Sequence, residues 1–168
     1  MRASLPTHDS IQEFEGARHD RLWDGMTLWL EGHTDSAAGA VYLLGYCVEM
    51  ALKCAYFRVL GLQISDPITA LELRAAQAKA VAYGVTARTE AYHSVQFWCD
   101  LLREQRRAIG LPFESIFEQQ LIDEVTIVYA RWSIEMRYKT NYTTSATLDR
   151  VLKAVEWFDL NYSRLYSP

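Results

Sequence analysis

The chain has 168 residues, 50% of them hydrophobic and 23% charged, and a formal net charge of −4. A single domain of that size buries about two-thirds of its unfolded surface, so it needs no disulfide or metal staple. The acidic balance excludes a general nucleic-acid coat, though not a local basic site, and no unbroken run of 18 apolar residues offers a membrane span.

Residues 1–16 lack apolar periodicity and read as a loose N-terminal arm, leaving 17–168 as one helical domain. A first helix is expected over Ala17 to Glu31, with Leu22, Met26, Trp29 and Leu30 on one side. "EGHTDSAAG" breaks it, and Asp35 and Ser36 are N-cap candidates for the next. The second helix has the clearest signal. Val41, Leu44, Val48, Leu52, Ala55 and Val59 recur at steps of three and four, and Gly61 supplies a stop. Gly45 lies inside this helix at a cost in propensity, which close approach of a neighbouring helix explains.

Pro67 opens a third helix with Leu71, Ala75, Ala78 and Ala82 inward, ending near Gly84. A fourth begins at Ala91 to Ser94, carries Val95, Trp98, Leu101 and Leu102, and stops at "IGLP". The fifth carries Phe117, Leu121, Val125, Val128, Trp132 and Met136. The sixth follows "NYTTSAT" with Leu148, Val151, Leu152, Val155, Phe158, Tyr162 and Leu165. The expected fold is all-α, an antiparallel bundle of five or six helices. Five Trp and ten Tyr suit a thick helical core or an interface.

Chemistry-bearing residues are few. Cys47, Cys54 and Cys99 form no metal spacing, and the first two share a helix face as buried thiols. The odd count and the lack of a signal peptide point to a reducing cytoplasm. No HExxH, Gly-rich phosphate loop or nucleophile elbow is present, so no metal or cofactor is expected. His19 and Asp20 adjoin but point apart on a helix, and His33 shares a loop with Asp35.

Glu49 and Lys53 are spaced i to i+4 within "YLLGYCVEMALKCAYF", a setting rich in apolar groups. A charge there needs a partner, because an unpaired buried one is costly. Arg131 and Arg137 are the available cations, with Glu135 one turn from Arg131; Glu49 with Arg137 is the favoured pair. A fold-stabilising salt bridge, a polar ligand pocket that includes Tyr138, and simple solvent exposure all remain open. In "ARTEAYHSVQFW", Arg88 and His93 flank a helix start, where an anionic phosphate is attracted. A histidine can pass protons and an arginine can grip phosphate, so Arg88 and His93 together are the equipment expected for metal-free RNA cleavage. A capping or packing histidine is the plainer alternative. "REQRR", Arg103 to Arg107, either touches RNA or faces water.

Three stretches together resemble the HEPN superfamily of small helical domains. "AVYLLGYCVEMALKCAYF" is similar to the family's Tyr-Leu-x-Gly-Tyr-x-x-Glu-x-x-Leu-Lys helix. His93 with "SVQFWCDLL" resembles the histidine before a Leu-rich helix, and "RWSIEMRY" resembles a Trp-x-x-Glu-x-Arg-Tyr element late in the bundle. The resemblance spans roughly residues 18–166. It implies a helical bundle that dimerises with itself. Many such domains are ribonucleases with an arginine, a polar residue and a later histidine; others lack the motif and accompany a nucleotidyltransferase as antitoxin partner. Arg137 and Tyr138 have no histidine after them at a useful distance, whereas "RTEAYH" fits the spacing literally with Thr89 as its polar residue. The expectation is therefore a homodimeric domain that binds RNA or a nucleotide, or serves a toxin–antitoxin-type partner. Metal-independent endoribonuclease activity through Arg88 and His93, and a purely structural interaction module, are its alternatives.

Overall fold

The computed structural model describes residues 9–31, 36–86, 93–132 and 143–167. They form α1 (Ile11–Leu30), α2 (Ala37–Val59), α3 (Ala70–Ala82), α4 (Val95–Ala108), α5 (Ser115–Tyr129) and α6 (Ser145–Asn161), closed by a 3-10 turn, Tyr162–Leu165. Two short strands, β1 (Asp9–Ser10) and β2 (Pro67–Ile68), pair antiparallel, with Asp9 opposite Ile68. The all-α expectation holds.

The centre of the molecule is α2. It packs against α1, α4 and α6, while α5 bridges α4 and α6, and α3 lies at the margin against α4. Seventeen of its residues are buried, so the apolar stripe read from the sequence has become nearly a full circumference. Length and hydropathy alone would let α2 cross a membrane, and most of it is buried inside the bundle, as a core helix is. The lack of an unbroken apolar run therefore did not by itself exclude a span. Gly61 stops the helix at φ +93, a conformation that a β-carbon resists. Ser36 does occupy the N-cap position, but its side chain makes no capping bond.

The N-terminal boundary differs from the expected arm. The first helix begins at Ile11, not Ala17, because Ser10 and Glu13 form a capping box. The Glu13 amide donates to Ser10 Oγ at 3.2 Å, and the Ser10 amide donates to Glu13 Oε2 at 2.6 Å. Ile11 is fully buried and fixes the entry. The expected inward face of α1 is met at two of its four positions. Leu22 and Met26 pack on the core, whereas Leu30 is exposed and Trp29 reaches outward to Asp149 Oδ1 at 3.0 Å.

The third helix differs most. Pro67 lies in β2, and Thr69 caps the helix in a box with Glu72. Its buried residues are Ala76 and Ala80, while Leu71, Ala75, Ala78 and Ala82 face solvent. Alanine on every side gives the stripe no contrast, and the exposed Leu71 misdirects it. The fourth and sixth helices start one residue after their capping groups. Ser94 Oγ accepts from the Phe97 amide and Thr144 Oγ1 from the Thr147 amide. The fifth helix ends at Tyr129, earlier than expected; Trp132 is buried beyond its end, and Met136 lies outside the described residues.

The "REQRR" turn faces water only at Arg107; its other arginines are tied into the fold. Arg103 Nε donates to Glu118 Oε1 at 2.7 Å, and Arg107 pairs with the same carboxylate, tying α4 to α5. Arg106 is buried and donates to the carbonyls of Leu165 at 3.3 Å and Ser167 at 2.8 Å, with its guanidinium 4.4 Å from the Phe113 ring centre. These arginines are structural ties.

Candidate functional site

One turn-by-turn row of α2 carries Tyr42, Tyr46, Glu49 and Lys53. Steps of four, three and four place all four on the same side of a helix. Glu49 is only 1% exposed, so its charge must be met inside the protein. Lys53, one turn on, donates to Glu49 Oε1, and the His93 Nδ1 lies 3.3 Å from the same oxygen. The second oxygen, Oε2, has no hydrogen-bond partner among the described residues. Lys53 Nζ sits 5.6 Å from the ring centre of Trp98, which gives the buried ammonium an aromatic face as well.

His93 reaches this carboxylate because it immediately precedes Ser94, the cap of α4. The start of α4 thus fixes where the imidazole hangs, over the middle of α2. A carboxylate only accepts, so Nδ1 is the nitrogen that donates toward Glu49, and Nε2 is left for another partner. The His93 side chain is 40% exposed, against 1% for its anchor. A buried carboxylate that orients a half-exposed imidazole is the arrangement by which enzymes set a histidine to take or give a proton.

The aromatic flank is equally ordered. The Tyr46 ring lies 6.4 Å from the His93 ring, 5.3 Å from Tyr42 and 5.8 Å edge-on from Trp132. The Trp132 indole donates to the Tyr42 carbonyl at 2.9 Å. Gly45 makes this possible: a β-carbon there would meet the indole at 2.1 Å. The close neighbour of Gly45 is thus one side chain past the end of α5, not a helix backbone.

Of the residues expected from the sequence, Glu49, Lys53 and His93 come together. Arg131 does not join them; it lines a shallow recess with Ala130, Thr143 and Thr147, and makes no ion pair among the described residues. Arg88, Glu135, Arg137 and Tyr138 lie outside the described residues. Tyr42, Tyr46, Trp98 and Trp132 were not foreseen at the site. The four-residue step from Tyr42 to Tyr46, in register with Glu49 and Lys53, was the available signal.

A roomier recess, about 640 Å³, lies elsewhere, at the end of α3 and along α4. Asp100 and Glu104 line it, and no cationic side chain among the described residues does, so it does not suit an anion. The three thiols are buried and free. Desolvation pushes Cys47 and Cys54 up to about 12, and Cys99 is pushed up as well, which makes them inert packing groups.

In comparisons with known proteins, no family model matches the chain, and no curated protein or solved structure is similar to it.

Proposed function

We propose that the chain is a HEPN-like domain that works as a homodimer and binds RNA or a nucleotide at the site built around His93, and that it cleaves RNA there without a metal. The observation that carries this reading is the 3.3 Å contact between His93 Nδ1 and the buried Glu49 carboxylate, with the imidazole half open to solvent. RNA brings its own nucleophile, so a positioned histidine and a cation suffice. Nε2 accepts the 2′-hydroxyl proton, the 2′ oxygen attacks phosphorus, and the bond from phosphorus to the 5′ oxygen breaks. That oxygen takes a proton from solvent, and the imidazolium returns its own. The products are a cyclic phosphate and a 5′-hydroxyl. Arg88 is assigned to the charge that gathers on the phosphoryl oxygens. A reducing cytoplasm goes with this reading, and three free thiols support it.

A second reading, an antitoxin-type partner of a nucleotidyltransferase or a purely structural interaction module, is favoured by the Glu49–Lys53 pair. Its burial is accounted for by the fold alone.

End-labelled single-stranded and structured RNA, incubated in EDTA with wild type, Arg88→Ala and His93→Ala, separates the two. Cleavage by wild type that is lost in both variants, with helical circular dichroism unchanged, is the expected result. Cleavage retained in His93→Ala removes the catalytic role. No binding and no cleavage by wild type leaves the partner module.

A further inference from the structure

One tyrosine ring away from His93, a cleft of about 340 Å³ is lined by Arg21, Tyr42, Leu43 and Tyr46. We infer that this cleft is a stacking subsite for one unpaired RNA base next to the bond presented to His93, with Arg21 taking the phosphate. The inference rests on the RNA reading above and adds to it a place for the strand and residues that hold it.

Three observations carry it. Tyr42 and Tyr46 are both half-buried and both line the cleft, with Tyr42 at its side away from His93's ring contact. Tyr46 lines the cleft and also lies 6.4 Å, ring to ring, from His93, so the cleft and the imidazole share a neighbour. The rings brace one another before any ligand arrives, because Tyr46 packs edge-on against both Tyr42 and Trp132. Preorganised aromatic faces bind bases with little ordering cost.

The charge pattern agrees. Arg21 is held at 2.7 Å by Asp24, but both side chains are about half exposed, at 49% and 52%. An exposed pair of this kind is weak and gives way to a phosphate. Leu43 adds an apolar edge. No amide or carboxylate among the described residues lines the cleft to read a base edge, so stacking there tolerates any base. A duplex keeps its bases stacked on one another and cannot offer one to the tyrosines.

The test is fluorescence anisotropy with a short fluorescein-labelled single-stranded RNA and with its duplex, in EDTA, using His93→Ala as the background so that the probe stays intact. The single strand binds more tightly than the duplex. Tyr42→Ala weakens single-strand binding roughly ten-fold and Tyr42→Phe leaves it unchanged. Arg21→Gln, a surface change that spares the core, lowers the salt dependence of binding by about one released ion. Should Tyr42→Ala not fold, the Arg21→Gln salt slope still decides. Equal affinity and an equal salt slope in these variants, with the RNA still bound, overturns the subsite and leaves the RNA reading standing. No binding of either RNA, with wild type also inactive, overturns both.

Discussion

The Trp132 indole occupies the space where a side chain at Gly45 would be: a β-carbon there would lie 2.1 Å from two of its ring atoms. Gly45→Ala must displace the ring, which loosens the Tyr42 carbonyl bond and the Tyr46 contact together. Overpacking of this kind costs about 1–3 kcal/mol. Urea melts should show that loss, and should show far less of it when Gly45→Ala is made in a Trp132→Ala background. Equal costs in both backgrounds would mean the ring is not what forbids the β-carbon.

Glu49 and Lys53 neutralise each other in the core, at 1% and 7% exposure. Glu49→Ala strands the ammonium beside Trp98 and costs about 3–5 kcal/mol, whereas Glu49→Leu with Lys53→Met costs little or stabilises. A single-variant loss below about 1 kcal/mol, the range of an exposed pair, would show that water reaches the lysine in solution.

Arg106 holds the end of the chain through the Leu165 and Ser167 carbonyls. Arg106→Met removes both charge-assisted bonds, at about 1.5–3 kcal/mol each before relaxation. Amide hydrogen exchange should speed up at the 3-10 turn, Tyr162–Leu165, while α2 stays protected. Unchanged exchange at the turn would assign its order to packing of Leu165 alone.

Burial raises Cys47 and Cys54 from an ordinary 9.0 to about 12, and Tyr56 from 10.0 to about 12. The fold favours the protonated forms. Their contribution is complete below pH 9.0 and is lost as pH climbs from there toward about 12. Each pH unit in that window removes about 1.4 kcal/mol per thiol. Melting temperature should be flat through neutral pH and fall above 9, and Cys47→Ala with Cys54→Ala should flatten that fall. Native thiols should resist alkylation until the chain unfolds.

The interiors of α2, α4, α5 and α6 were legible because Val, Leu and Phe at steps of three and four contrast with polar neighbours. The face of α3 was not, since its alanines carry almost no contrast between inside and outside. The start of α1 was written in Ser10 and Glu13, a capping spacing that an apolar search passes over because only Ile11 and Phe14 follow it inward. Within the site, Glu49 and Lys53 were local and readable. The approach of His93 to Glu49 spans 44 positions and depends on how α4 packs on α2, which no spacing encodes. Arg131 was misplaced because α5 ends at Tyr129, so the expected helical phase does not reach it. Arg106 was hidden by its charged neighbours; its burial follows from where the chain end docks.

The position of α2 has a consequence for synthesis. It is made second, yet two of the helices that cover it, α4 and α6, come later, the last ending at Asn161. At ordinary translation speeds roughly 5–20 s separate the end of α2 from the end of α6. Until α4 is made only α1 shields the most apolar segment of the chain, and the face that α6 covers stays open to the end, so chains released early would carry it uncovered into solution. The nascent protein is therefore most in need of a chaperone between its second helix and its last, and α1 is the guard it brings with it.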